Sequence, residues 1–331
     1  MQLFVKRNEE EGGAERQFDF FCQYAAHYDE IYRYCLSDGL RKRHFYIELF
    51  FFLLFVAQLK ASKIYLHTFQ YRNLLICCIV KNLIEIFCNK QVYIHFGERN
   101  YAPRHLKIRR KKSIKYYAYH YLLKQCKIIS CNSLDAVRVY TLFFKIRSEQ
   151  LIYFPNILIP HDTHVKKSDI NTNSFSYVGR LITRKKILEI VNYFSEHKHL
   201  ELHIAGDGPL RDTVSTIANK SKNITFYGHT SVKNIHEKTT SMIFMSDHEG
   251  CPNAVLEALA SGSRVFVNKF RGGYRELRQH NLSNLYFINE LSEINTSNSL
   301  EKETACKIKY FYSPQNYTRN VQHLIYRLYD L

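Results

Sequence analysis

The chain of 331 residues contains no tryptophan, only 12 glycines and 6 prolines, and fewer acidic than basic side chains. It also lacks a membrane-length apolar run. The longest, Leu49–Ala57, stops after nine residues, where a spanning helix needs about 20. Glu48, Gln58 and Lys60 prevent its extension, so a soluble or peripheral chain is expected. The N-terminus, MQLFVKR, reads as a strand and lacks the apolar core and cleavage site of a signal peptide. Nine cysteines occur, but none form a CxxC pair and Cys77 and Cys78 are adjacent. That spacing argues against a disulfide framework and a zinc ribbon, and favours free thiols in a reducing compartment. Hydrophobic residues make up 46% and charged residues 23%, which excludes a disordered or fibrous chain. The length suggests two domains.

What the chain has in excess is positive charge: 47 Lys and Arg against 30 Asp and Glu, a net of +17. Residues 51–150 alone hold 18 basic and 4 acidic side chains, or +14. A nucleic acid, an anionic membrane surface or a phosphorylated substrate would be drawn to that region.

Short apolar strands alternate with helical stretches throughout. Strands are expected at Leu3–Val5, Ile64–His67, Val92–Phe96, Ile128–Cys131 and Leu151–Phe154, then at Phe175–Val178, Leu202–Ala205, Ile224–Tyr227, Met242–Met245, Val265–Val267 and Leu285–Ile288. Phe18, Phe21, Cys22, Ala25, Tyr28, Tyr32 and Cys35 recur at helical spacing. Strand–helix alternation implies parallel sheets. The expected fold class is therefore α/β, with two Rossmann-like, doubly wound units. Residues 1–160 form the first domain in this reading and 161–313 the second, with the polar stretch Ile159–Asn173 at the boundary. A terminal helix, 314–331, carries Tyr317, Val321, Leu324, Ile325 and Leu328 on one stripe and is expected to pack back on the first domain.

Scarce glycine is informative, because each one marks a place where a side chain would not fit. Eleven of the twelve fall at strand ends or in loops, where doubly wound sheets bind ligands. In Asp247–Gly262, DHEGCPNAVLEALASG, a strand gives way to Glu249 and Gly250, then to a helix with Pro252 at its first position and Gly262 past its end. Free N–H groups at such a helix start suit an anion. Small residues three and four positions from Glu257 (Asn253, Ala254, Ala260, Ser261) leave room above its carboxylate.

The pairing of Glu249 with Glu257 across seven residues, in the context EGCPNAVLEALASG, resembles the donor motif of retaining family 4 glycosyltransferases, also called glycosyl transferases group 1. YVGRLITRKK at Tyr177–Lys186, LHIAGDGPLR at Leu202–Arg211, NITFYG at Asn223–Gly228 and GGAER at Gly12–Arg16 resemble further motifs of that family in the same order. The resemblance implies the GT-B fold, two Rossmann-like domains facing a cleft. It also implies transfer of a hexose from a UDP- or GDP-sugar to an acceptor with retention, the leaving phosphate taking the acceptor proton. Arg180 and Lys185 would stabilise the departing diphosphate, Glu249 would hold hydroxyls of the transferred sugar, and Glu257 would accept from the ribose. Gly13, Gly208, Gly250, Cys251, Pro252 and Asn253 would contact the donor, and His95, at a strand end before Gly97, would reach the sugar. His67 ends a neighbouring strand. The cations would do a metal's work, so no metal or other cofactor is expected. Lys186 stands where the family usually has glycine. RKK at 184–186, taken alone, reads as solvated surface charge.

Arg104–Lys127 holds nine basic residues, four tyrosines and no acid. A basic helix with an aromatic side fits an anionic membrane surface. Many members of the family modify lipid-linked saccharides at the cytoplasmic leaflet. That implies a peripheral protein of the inner face of the plasma membrane, acting in lipopolysaccharide or capsule assembly. Other GT-B chemistry, a nucleotide-sugar epimerase or a phosphorylase, is the alternative. A nucleic-acid-binding module leaves Glu249, Glu257 and the glycines without a role, and no helix-turn-helix or RNA-binding signature accompanies the basic stretch.

Overall fold

The computed structural model describes residues 1–6, 13–29, 31–35, 42–69, 71–99, 113–158, 171–230, 235–295 and 302–329. The chain divides into two compact units. Unit 1 comprises Met1–Ile157 with Gln315–Leu331, and unit 2 comprises Leu158–Pro314. Parts of the expected boundary stretch and of the basic segment, residues 159–170 and 104–112, lie outside the described residues, as do Gly12 and Ser231–Val232.

Unit 1 is built on β1 (Gln2–Lys6), β2 (Ile31–Cys35), β3 (Lys63–Thr68), β4 (Gln91–Glu98), β5 (Cys126–Cys131) and β6 (Leu151–Tyr153). All pairings are parallel, in the order β2-β1-β3-β4-β5-β6. The helices are α1 (Gly13–Ala25), α2 (Lys42–Gln58), α3 (Tyr71–Phe87), α4 (Ile114–Lys124) and α5 (Leu134–Leu142). Leu3 and Val5 face one core with α2 to α5. Phe4 faces the other, with Phe18, Phe21 and Cys22 of α1. This is the two-residue alternation of a strand buried on both faces.

Unit 2 is built on β7 (Ser174–Val178), β8 (Glu201–Ala205), β9 (Ile224–Gly228), β10 (Ser241–Phe244), β12 (Arg264–Asn268) and β14 (Leu285–Ile288), in the order β14-β12-β10-β7-β8-β9. A separate two-stranded ladder joins β11 (His248–Glu249) to β13 (Arg271–Gly272). Its helices are α6 (Ile187–Glu196), α7 (Arg211–Asn219), α8 (Asn253–Ala260), α9 (Tyr274–Gln279) and α10 (Lys302–Phe311). Helices α6 and α7 pack on one sheet face, and α8 to α10 on the other.

The strands foreseen in the sequence form, each within a residue or two of its limits. One segment is corrected. The helical stripe beginning at Phe18 does not reach Cys35: α1 ends at Ala25, and Ile31–Cys35 is a strand. IYRYC is rich in β-branched and aromatic residues, and all five of its residues register with β1. Tertiary pairing overrides the chance continuation of the helical period.

The last helix, α11 (Pro314–Tyr329), belongs with unit 1. Tyr317, Val321, Leu324, Ile325 and Leu328 are buried in one core with Phe4, Phe18, Phe21 and Phe154. Tyr329 donates its hydroxyl to Asp29 at 2.7 Å. Within unit 2, the first and last segments are tied by a bond from the Leu158 N–H to the Tyr312 carbonyl at 2.9 Å.

Among the described cysteines all are free; Cys22, Cys77, Cys78, Cys126 and Cys131 are buried. Burial pushes the Cys78 thiol up to about 12, so at neutral pH it packs as an apolar group.

Candidate functional site

Counted in chain order, the six strands of unit 2 run third, second, first, fourth, fifth, sixth across the sheet. The winding direction reverses between β7 and β10, and ligands of such sheets bind beyond the strand ends at that reversal. There β7 runs into Gly179–Lys186 and β10 runs into Met245–Gly250. The loops that carry the charges singled out in the sequence therefore flank the same point.

The side chains meet. Lys185 Nζ lies 2.8 Å from Glu249 Oε1, and Arg184 Nη1 lies 2.6 Å from the same oxygen. Ser246 donates its hydroxyl to it at 2.9 Å. Arg184 also donates to the His248 carbonyl, while the Asp247 N–H donates to the Arg184 carbonyl. The Lys185 ammonium stands 4.5 Å over the Phe244 ring. Burial pushes the Glu249 carboxyl up, but Lys185, Arg184 and the Ser246 hydroxyl outweigh it and hold the group below the usual carboxylate range. For Lys185, burial lowers the ammonium more than Glu249 raises it. The result is an ionised carboxylate and a partly desolvated cation in contact, a geometry suited to binding a polar, charged ligand.

Backbone contacts that only glycine permits hold this arrangement. Glu249 registers with Gly272, which sits at φ 106°, and a Cβ there would fall 1.6 Å from the Glu249 carbonyl oxygen. On the other side of β7, Gly208 is at φ 151°, and a Cβ would fall 2.7 Å from the Leu181 carbonyl oxygen. Gly208 thus lets the loop after β8 close on the loop that carries Arg180 and Lys185.

The remaining unit 2 residues fall around this centre. Arg180 follows β7 and is exposed, and no ion pair holds it among the described residues. Gly250 is buried, Cys251 is half-buried, and Pro252 caps α8 rather than opening it, so the helix begins at Asn253. The shift is physical: Pro252 has ψ 96°, an extended value, and its carbonyl already accepts from Val255 and Leu256. Glu257 is half-buried one turn into α8, on the side away from the fully buried Leu256 and Leu259.

Two residues sequence reasoning missed are Arg184 and Ser246. The first lay within the RKK cluster that reads as surface charge; the second is one serine among many. Only the approach of the two loops reveals them.

The unit 1 candidates behave differently. Gly13 is the first residue of α1. His95 is fully enclosed, between the rings of Phe21, Phe69 and His67. Its Nδ1 lies 3.0 Å from His67 Nδ1 and its Nε2 2.8 Å from Ser130 Oγ. Burial, then the nearby His67 and Arg99, keeps its imidazole well below the usual range. As described, it offers no edge to a ligand and acts as a neutral core group. Among the described residues no cluster of three His, Cys, Asp or Glu side chains forms a metal-binding group.

Residues 161–302 match the family model for glycosyl transferases group 1. Unit 2 is a group 1 glycosyl transferase domain. No curated protein matches the sequence. Among solved structures, sucrose-phosphate synthase from Thermosynechococcus elongatus superposes with a TM-score of 0.74 at 12% identity, covering 99% of each chain. WaaG, a glycosyltransferase involved in lipopolysaccharide biosynthesis, gives 0.68 at 12% identity and 99% coverage of each chain. Staphylococcus aureus TarM, solved with fondaparinux, α-GlcNAc-glycerol and UDP, gives 0.65 at 12% identity; 86% of this chain is covered, spanning 59% of TarM. At these identities the likeness establishes the fold, which is GT-B with two Rossmann-like units. In this group 1 domain the lysine of the VGRL…K segment and the first glutamate of the paired-glutamate motif are thus in direct contact.

Proposed function

We propose that the chain is a retaining glycosyltransferase that moves a hexose from a UDP- or GDP-sugar to a lipid-linked saccharide, in assembly of a bacterial surface polysaccharide such as lipopolysaccharide or capsule. The observation that carries the reading is the contact of Lys185 with Glu249 at the winding reversal of unit 2. A donor bound there meets a cation for its diphosphate and a carboxylate for its sugar within one contact. Negative charge grows on the diphosphate as the bond to the sugar breaks. Lys185 and the exposed Arg180 stabilise that charge as it develops, which is where stabilisation accelerates the reaction. The N-terminus of α8 at Asn253 adds the positive end of its helix dipole. Glu249, kept ionised, accepts from a sugar hydroxyl and fixes the ring's orientation; Glu257 accepts from the ribose. The departing phosphate takes the acceptor's proton, so no side-chain base and no metal are required.

The membrane partner has separate support. Residues 113–127 of the basic segment are described, and Lys115 and Lys124 are exposed on α4 beside exposed Ile114, Tyr117 and Tyr121. Helices α2, α3 and α4 lie side by side over one sheet face. On α2, Tyr46, Ile47, Phe50, Phe51 and Leu54 are exposed while Phe52 and Val56 are buried. An apolar outer stripe next to basic side chains suits an anionic lipid surface. No helix among the described residues is long and apolar enough to cross a membrane. A peripheral position on the inner face of the plasma membrane follows from this reading.

A thermal-shift panel of nucleotide sugars, followed by product analysis, tests the proposal. A UDP- or GDP-sugar should raise the melting temperature, and Glu249→Gln should lower turnover by about 100-fold or more while the protein stays folded. Glutamine is the better probe than alanine, because Lys185 and Arg184 would otherwise lose their acceptor. Full activity in that variant refutes the assigned role, and an epimer or a sugar phosphate formed without acceptor refutes transfer.

A further inference from the structure

Three donors converge on one oxygen of Glu249. Arg184, Lys185 and Ser246 all bond Oε1, and among the described residues none bonds Oε2. An ionised carboxylate offers about four acceptor positions, two on each oxygen. Oε1 therefore carries one donor more than it needs. Lys185 is the one that can leave: it holds Glu249 by a single contact and otherwise rests over Phe244. Arg184 is tied in twice more, through the His248 carbonyl and through its own carbonyl to the Asp247 N–H. Ser246 is pinned by Asn268, which accepts from its N–H at 2.8 Å and donates to its carbonyl at 3.0 Å.

We propose that Arg184 and Ser246 are positioning residues for Glu249: they keep Oε1 occupied and Oε2 presented to the donor sugar when Lys185 turns to the diphosphate. Without them, a lysine that moved to phosphate would strip the carboxylate of its partners, and burial would then favour its protonated form. The two functions assigned to this site would compete. With them, cation and carboxylate act at once. The groups facing Glu249 are the Tyr177 hydroxyl from β7, the Arg184 and Lys185 cations, and the Ser246 hydroxyl, with Arg271 on the strand paired to it. Arg184 is the one cation among those bonded to the carboxylate that this reading does not send to the phosphates.

This inference rests on the transferase reading, and its test separates the two. Arg184→Gln, Arg184→Lys and Ser246→Ala are compared with wild type for UDP and GDP binding, for turnover of the active nucleotide sugar, and for the pH dependence of kcat/KM. Arg184→Gln should bind the nucleoside diphosphate within twofold of wild type. It should lose about tenfold in kcat with little change in donor KM, and its acid limb should rise by about one pH unit. Arg184→Lys should restore the limb and most of the turnover, and Ser246→Ala should show a smaller change in the same direction. Wild-type turnover and an unmoved acid limb in Arg184→Gln overturn the proposal. So does loss of nucleoside diphosphate binding, which would make Arg184 a phosphate ligand. Arg184→Lys impaired as much as Arg184→Gln also overturns it, since that marks a merely structural contact. If the wild type consumes no nucleotide sugar, the transferase reading fails on its own. A carbon-13 NMR titration of the Glu249 carboxyl in the ligand-free protein then still decides whether Arg184 holds it: a rise in Arg184→Gln supports the clasp, and an unmoved titration overturns it.

Discussion

Lys186 stands at φ 51° and ψ 28°, a left-handed conformation between the 3₁₀ turn Thr183–Lys185 and α6. A lysine there costs roughly 1–2 kcal/mol in backbone strain, partly offset because glycine loses more freedom on folding. The position where the resembling family usually has glycine is therefore one whose backbone still asks for it. Lys186→Gly should gain about 0.5–1 kcal/mol in urea unfolding, and a loss of stability would show that the ion pair of Lys186 Nζ with Glu189 Oε2, at 3.7 Å, matters more. At the same scale, His67 and His95 share one hydrogen bond in an aromatic core. The tautomers that leave no buried N–H unpaired have His67 Nδ1–H donating to His95 Nδ1, and His95 Nε2–H to Ser130. Burial, with the N-terminal charge, lowers His67 to about 3. Both histidines are thus held below their unfolded value of about 6.5, so the unfolded chain binds more protons on the acid side. The stability they permit is complete above that value and is lost as pH falls toward 3. Glu249, also depressed, adds its own loss only below about pH 4. Unfolding free energies measured from pH 8 to 4 should fall steadily below pH 6.5, and more gently in His67→Phe. Equal slopes would show that the pair does not titrate on unfolding. At residue scale, Glu249 and Lys185 were legible because motif spacing announced them. The enclosure of His95 was not, since a histidine at a strand's end looks the same whether the loop beyond opens or folds over it.

Among elements, the strands of both sheets were readable because each is a short apolar run between turn residues. β2 was not, because Tyr28, Tyr32 and Cys35 continue the α1 stripe by coincidence and only pairing with β1 breaks the tie. The ladder of β11 with β13 was also invisible: two residues per strand leave no period to detect. Yet it sets the backbone of Glu249. Gly272→Ala should destabilise unit 2 by more than about 2 kcal/mol, because the carbonyl of Glu249 occupies the methyl's place. Nucleotide-sugar binding should weaken with it. A melting temperature within a degree of wild type would show that the ladder can part without consequence.

Across the molecule, Lys115 and Lys124 lie exposed beside the exposed tyrosines of α4, within the most basic part of the sequence. Residues 51–150 carry +14. If that face meets lipid, binding should need both charge and apolar contact. Co-sedimentation with vesicles rich in anionic lipid should fall steeply between low and physiological salt. Phe50→Ser/Phe51→Ser should weaken it at every salt concentration without altering the helix core, which rests on Phe52 and Val56. Retention on neutral vesicles equal to that on anionic ones would show that charge plays no part in the contact. The sequence announced the charge but not α2, whose run of phenylalanines reads equally well as core.

The return of α11 to unit 1 has a consequence for biosynthesis. As the polypeptide emerges from the ribosome, unit 2 has its whole sheet and the Leu158–Tyr312 tie available while unit 1 still waits for the helix that seals Phe4, Phe18 and Phe154. The part made first is thus the last to be finished, and a released chain truncated just before Pro314 would hold a completed second unit and a first one open on its aromatic side.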